Sequence, residues 1–330
     1  MNLWRSCWRR PISKCGVALG GLLLLPPIPI RDVPSPDLAA PEWHLVPDWL
    51  QLPDNVTLGQ VSGVGIDTLG HVLLFVRAGR VFDRTTTEPI AEPTVLEVDP
   101  FTGALLASWG AGLFLIPHSL TVDRENNVWL TDVGRHQVFK FSHDGRLLLT
   151  VGDRRVPGWD ATHFNEPTDV AVSADGSFFV SDGYRNARVA HYSPTGSFLK
   201  EWGAKGTLPN QFQTPHSVAL DGRGRVYVAD RENSRLQVFD TTGTLLRVWP
   251  SSPTVGRVFA VAVSSLGYIY LARKDGPEAV SILDGEGHDI GMIPADTSVL
   301  VTPHAIAIQG DSVMYIADTT GERIRKFVKR

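Results

Sequence analysis

The chain has 330 residues, 43% of them hydrophobic and 20% charged, which is too apolar for a disordered chain and long enough for a large core. Its 31 basic and 35 acidic residues give a formal charge of −4, and that balance offers nothing to a nucleic-acid partner. The two cysteines, Cys7 and Cys15, both lie near the N-terminus, so a disulfide framework and a cysteine metal cluster are excluded from the rest of the chain.

Residues 1–30 read as a leader. Arg5, Arg9, Arg10 and Lys14 precede an apolar run over 15–25, which Pro26, Pro27 and Pro29 break. A spanning helix needs about 20 apolar residues, so this run is too short for one. A basic start followed by a short apolar run is the form of an export signal. The expected location is secreted or periplasmic, or at the membrane if the leader stays attached. Residues 31–59 are read as a Pro-rich linker that also holds a strand, over 43–50, closing the folded ring.

Residues 60–330 carry six copies of one unit, recurring about every 48 residues. The copies start near Val61-Ser62-Gly63-Val64, Pro117-His118-Ser119-Leu120, Pro167-Thr168-Asp169-Val170, Pro215-His216-Ser217-Val218, Phe259-Ala260-Val261 and Pro303-His304-Ala305-Ile306. Each holds a short alternating run, a tight turn, and a second apolar run. Four of these second runs end in Asp, at Asp132, Asp182, Asp230 and Asp318. Two further runs follow, and the last often ends in Trp-Gly. Period-two alternation with turns every 8 to 12 residues means strands. Four strands per unit predict an all-β, six-bladed β-propeller. The last unit runs out after three strands, and 43–50 is assigned as the fourth. The recurring aspartates read as caps on loop amides.

Histidine occupies one repeat position in alternate units only: His118, His216 and His304. The matching residues in the other units are read as Ser62, Thr168 and Ala260. First strands line a propeller's channel, so three imidazoles should meet about 120° apart, as for a zinc ion with one open position. The loop after the second strand carries Arg77 in the first unit and Arg231 in the fourth, expected to face each other across the mouth, suited to gripping a carboxylate or stabilising developing negative charge. The same loop in the third unit carries Tyr184.

These motifs, in order and spacing from Val61 to Phe327, resemble the peptidyl-α-hydroxyglycine α-amidating lyases (peptidylamidoglycolate lyases), NHL-repeat propellers. The resemblance rests on Pro117-His118-Ser119-Leu120, Ser181-Asp182-Gly183-Tyr184, Pro215-His216-Ser217, Ala229-Asp230-Arg231-Glu232-Asn233 and Pro303-His304. It implies zinc on His118, His216 and His304, with Tyr184, Arg77 and Arg231 as catalytic residues and Tyr184 as the base. It also implies an axial calcium held by the backbone carbonyls of Val64 and Leu120 and by an aspartate after the third histidine. Ala305 stands at that last position, so calcium is expected to be weak or absent unless Asp169 substitutes. The implied substrate is a peptide ending in α-hydroxyglycine, cleaved to the peptide amide and glyoxylate by a monomer. A separate copper monooxygenase would supply it. Two other readings share the fold: a lyase acting on a small amide such as ureidoglycolate, and a non-catalytic propeller that binds protein or glycan.

Overall fold

The computed structural model describes residues 42–250, 256–296 and 298–329. The leader at 1–30 and the first part of the linker lie outside the described residues. Six four-stranded antiparallel sheets follow one another around a ring. The first consists of Val61–Ile66, Val72–Val76, Val95–Val98 and Leu105–Trp109. The next four open with Pro117–Val122, Asp169–Val172, Pro215–Leu220 and Arg257–Val263. The sixth takes three strands from the C-terminal end (Pro303–Gln309, Val313–Asp318, Arg323–Lys329) and its outer strand from Trp43–Val46, paired Trp43 with Lys329 and Val46 with Lys326.

Burial falls from axis to rim, and the residue pattern explains why. Second strands such as Val128–Asp132 are buried along their whole length, because each sheet is packed on both faces. Outer strands such as Leu147–Val151 are mostly exposed. The core is correspondingly a ring of inter-blade clusters. Phe75, Phe114, Leu120, Leu130 and Phe139 join blades one and two, and Val61, Val76, Tyr315 and Ala317 join six and one. Each fully buried side chain of this kind contributes about 1.5–3 kcal/mol.

The four recurrent aspartates are completely buried and act as expected. Asp132 accepts the amides of Leu115, Ile116 and Arg135 at 2.6, 3.0 and 3.0 Å, and Asp318 those of Val301, Thr302 and Gly321. Donors of this kind are what a buried carboxylate requires. The Trp-Gly signature is a joint between blades. Trp202 ends the outer strand of blade three, and a methyl group at Gly243 in blade four would lie 2.7 Å from its ring, at φ +82°. Trp109 meets Gly145 and Trp249 meets Gly287 in the same way. Gly243→Ala should therefore cost about 2–4 kcal/mol, combining left-handed strain with overpacking. Gly310→Ala, at φ +53° with nothing within 4 Å, should cost only about 1 kcal/mol. Equal losses in urea denaturation would mean that the tryptophan contact is not what requires the glycine.

Candidate active site

Five of the six first strands enter the ring through a bulge, while that of blade three, Asp169–Val172, pairs in unbroken register. In blades two, four and six the bulged residue is His118, His216 or His304, and in blade one it is Ser62. In blade five the bulge falls between Val258 and Ala260, on Phe259. Phe259, and not Ala260, is therefore the counterpart of the histidines. The sequence alignment slipped by one residue because Val258 replaces the proline that marks the position in blades two, four and six.

With this register the alternation acquires a physical meaning. The Nδ1–H of His118 donates to the carbonyl of Thr168 (2.6 Å), that of His216 to Phe259 (2.7 Å), and that of His304 to Ser62 (2.8 Å). Each histidine is thus held by the equivalent residue of the next blade. A bond at Nδ1 fixes the tautomer and leaves Nε2 with a lone pair. The ring centroids form a nearly equilateral triangle of 4.8, 4.7 and 4.8 Å, and the nitrogens lie within 4.8 Å of one another. All three rings are buried. Burial, reinforced by Arg77, pushes His304 down to about 3. Burial also takes His118 and His216 well below the usual imidazole range, helped by His304 and Arg77 in the first case and Arg231 in the second. Neutral imidazoles are the form that binds a metal.

Tyr184, half-buried, points its hydroxyl at this centre, 3.0 Å from Nε2 of His118 and 3.2 Å from Nε2 of His216. One hydroxyl proton cannot serve two nitrogen lone pairs. The cluster has more acceptors than protons, and a cation resolves that conflict. Three neutral nitrogens suit zinc and its first-row neighbours better than calcium or magnesium.

The two arginines differ in setting. Arg77 is buried, its Nε donating to the Pro117 carbonyl at 3.0 Å and its Nη1 to Gln60 Oε1. Burial lowers it to about 10, opposed by Tyr184 and Asp132. It is a fixed positive charge beside the histidines, a setting that suits the stabilising of negative charge more than a mobile clamp at the mouth. Arg231 lies 5.2 Å from the Tyr184 ring centre and 5.0 Å from that of Phe259, and pairs with Glu232 at 2.8 Å.

Comparison with known proteins places this geometry. The NHL repeat model matches residues 114–141, 164–192 and 212–239. Peptidyl-α-hydroxyglycine α-amidating lyase 2 of Drosophila melanogaster is 33% identical over 319 residues, covering 87% of this chain and 75% of that protein. The chain belongs to the peptidyl-α-hydroxyglycine α-amidating lyase family. Peptidyl-glycine α-amidating monooxygenase B of Xenopus laevis is 37% identical over 300 residues, covering 83% of this chain but only 34% of that longer protein. A gluconolactonase from Xanthomonas campestris shares the fold, with a TM-score of 0.62 at 16% identity over 89% of this chain and 96% of that one.

In this family member the sequence reading missed three residues beside Tyr184. Phe82 packs 5.7 Å from the tyrosine ring, and the Arg84 guanidinium lies 4.8 Å from the Phe82 ring and 5.1 Å from the Tyr184 ring. Glu166 anchors Arg84 at 2.9 Å and Arg185 at 3.2 Å. Phe82 and Arg84 sit in the segment 77–94, far longer than the corresponding turn at 133–136. Its length was the available signal, since long connections in compact folds tend to be functional.

Proposed function

We propose that this protein is a zinc-dependent carbon–nitrogen lyase that splits the N–Cα bond of a C-terminal peptidyl-α-hydroxyglycine into peptide amide and glyoxylate. The observation that carries the reading is the meeting of three lone-pair Nε2 atoms with the Tyr184 hydroxyl in one buried centre. His118, His216 and His304 would hold the metal. Bound there, zinc would act as a Lewis acid toward the substrate's carbinol hydroxyl and make it more acidic.

The remaining work falls to the chain's own groups. Tyr184 Oη takes the hydroxyl proton and returns it to the departing amide nitrogen, so the reaction balances with no further reagent. The C–O bond becomes the glyoxylate carbonyl while the N–Cα electron pair goes to nitrogen. Arg231, beside Tyr184 and Phe259, is placed to orient the carboxylate end. Arg77 supplies a positive charge that cannot swing away, because Pro117 and Gln60 hold it. The α-hydroxyglycine itself would come from a separate copper monooxygenase acting on a glycine-extended peptide. Metal-replete protein should release glyoxylate from α-hydroxyhippurate. Release from ureidoglycolate alone would move the substrate to the small-amide class, and release from neither would leave a binding propeller.

The axial calcium that the family resemblance implies would meet a rearranged set of donors. The axial cavity, about 340 Å³, is lined by Val64, Leu120 and Ala305, with Asp169 as its single carboxylate and no lysine or arginine. Asp169 accepts from Ser217 Oγ at 2.8 Å and from the Val218 amide at 3.0 Å. Burial pushes its acid upward against those bonds, and a cation bound beside it would favour the carboxylate form. Asp169 thus fits as a substitute for the carboxylate absent at Ala305. Calcium should raise the melting temperature of the wild-type protein but not of Asp169→Asn. An equal rise in both would remove Asp169 from the site.

A further inference from the structure

A second group of metal-type ligands lies on the opposite end of the propeller from the three histidines. Asp67 follows the first strand of blade one, and His71 closes the same turn. Glu97 comes from the third strand of that blade, and His143 from the turn 142–146 of blade two. Asp67, Glu97 and His143 bring one ligand atom each to within 4.8 Å of one another. Oδ2 of Asp67 lies 3.1 Å from His143 Nε2 and 3.3 Å from His71 Nδ1, and Glu97 Oε1 lies 2.7 Å from the same His71 nitrogen.

We infer that these residues form a second, structural site for a divalent transition ion of the zinc class, fastening blade one to blade two. The donor chemistry makes the argument. Two carboxylates would neutralise a divalent ion, and the His143 imidazole, with His71 against both carboxylates, favours a transition ion over the hard cations, which take oxygen ligands. The Asp67–His143 separation of 3.1 Å matches the edge of a ligand tetrahedron built on bonds of about 2.0 Å, and Glu97 Oε2 lies 3.9 Å from the His143 ring, so a small shift of Glu97 would complete the set. The site is also pre-formed. The Asp67 side chain is fully buried, and its other oxygen is fixed by the amides of Leu69 and His71 at 2.8 and 2.7 Å. Its remaining oxygen faces both histidines, which are about a quarter to a third exposed and so open a path for the ion. This inference does not depend on the proposed lyase activity.

The test is metal stoichiometry. Full-length protein, stripped of metal and dialysed against Zn²⁺ at neutral pH, should take up two equivalents. Glu97→Gln and His143→Gln should each retain one equivalent, lose part of the zinc-induced rise in melting temperature, and keep glyoxylate release. Affinity at this site should fall by about 10- to 100-fold or more, the scale seen for disturbed metal sites. His216→Ala should lose the other equivalent. Should a variant fail to fold, the wild-type count still decides. A single equivalent in the wild type, or two in His143→Gln, overturns the proposal and leaves the cluster a set of histidine–carboxylate ion pairs.

Discussion

His216→Ala is expected to abolish metal binding at the channel and, with it, turnover. Structural zinc sites of four ligands are worth about 10–16 kcal/mol, so one ligand accounts for roughly 2.5–4 kcal/mol, or about 10²- to 10³-fold in affinity. His216 has no ready substitute. The adjoining first-strand positions of blades three and five present Thr168 and Phe259, which engage the histidines through backbone carbonyls. Removing the imidazole also takes from the Tyr184 hydroxyl one of its two nitrogen neighbours. Zinc content after dialysis, read beside glyoxylate release, checks this. Full zinc content with full activity in the variant would dismantle the three-histidine centre.

Tyr184→Phe should behave differently, losing turnover and keeping the metal. The substitution preserves the ring, and so its contacts with Phe82, Arg84 and Arg231. Only the oxygen near His118 and His216 disappears. General acid–base groups contribute about 10²- to 10⁴-fold, so kcat should fall by at least about 10²-fold with zinc unchanged. The contrast with His216→Ala separates proton transfer from metal retention. Near-normal kcat in Tyr184→Phe would assign proton removal to some other group.

How much of this was readable beforehand follows from the geometry of a propeller. A repeat position in the sequence maps onto an angle around the axis, so His118, His216 and His304 could be placed together from spacing alone. The same logic failed by one residue at Phe259, because a bulge shifts pairing without changing composition, and Val258 lacks the proline marker. Arg77 was found, but its burial was not, since the Pro117 carbonyl and Gln60 that hold it are visible only in three dimensions. Phe82 and Arg84 occupy no repeat position, and the contacts that join Arg84 to Phe82 and to Glu166, the residue before Pro167, arise through space. The Asp67, Glu97 and His143 group was illegible for the same reason, being drawn from two turns and a strand of two blades.

The seam between the last blade and the first has a consequence for the order of events in synthesis. Trp43–Val46 pairs with the final strand, Trp49 donates to Pro100 O at 3.0 Å, and His304 is oriented by the carbonyl of Ser62, 242 residues earlier. The two sides of this joint are the most distant parts of the folded chain, so it must be among the last contacts made during translation. Until it closes, the third imidazole has neither its place nor its tautomer. The nascent protein therefore passes through every earlier stage with only two of the three nitrogens in position, too few to retain an ion firmly. A metal held by all three imidazoles would therefore report a finished ring.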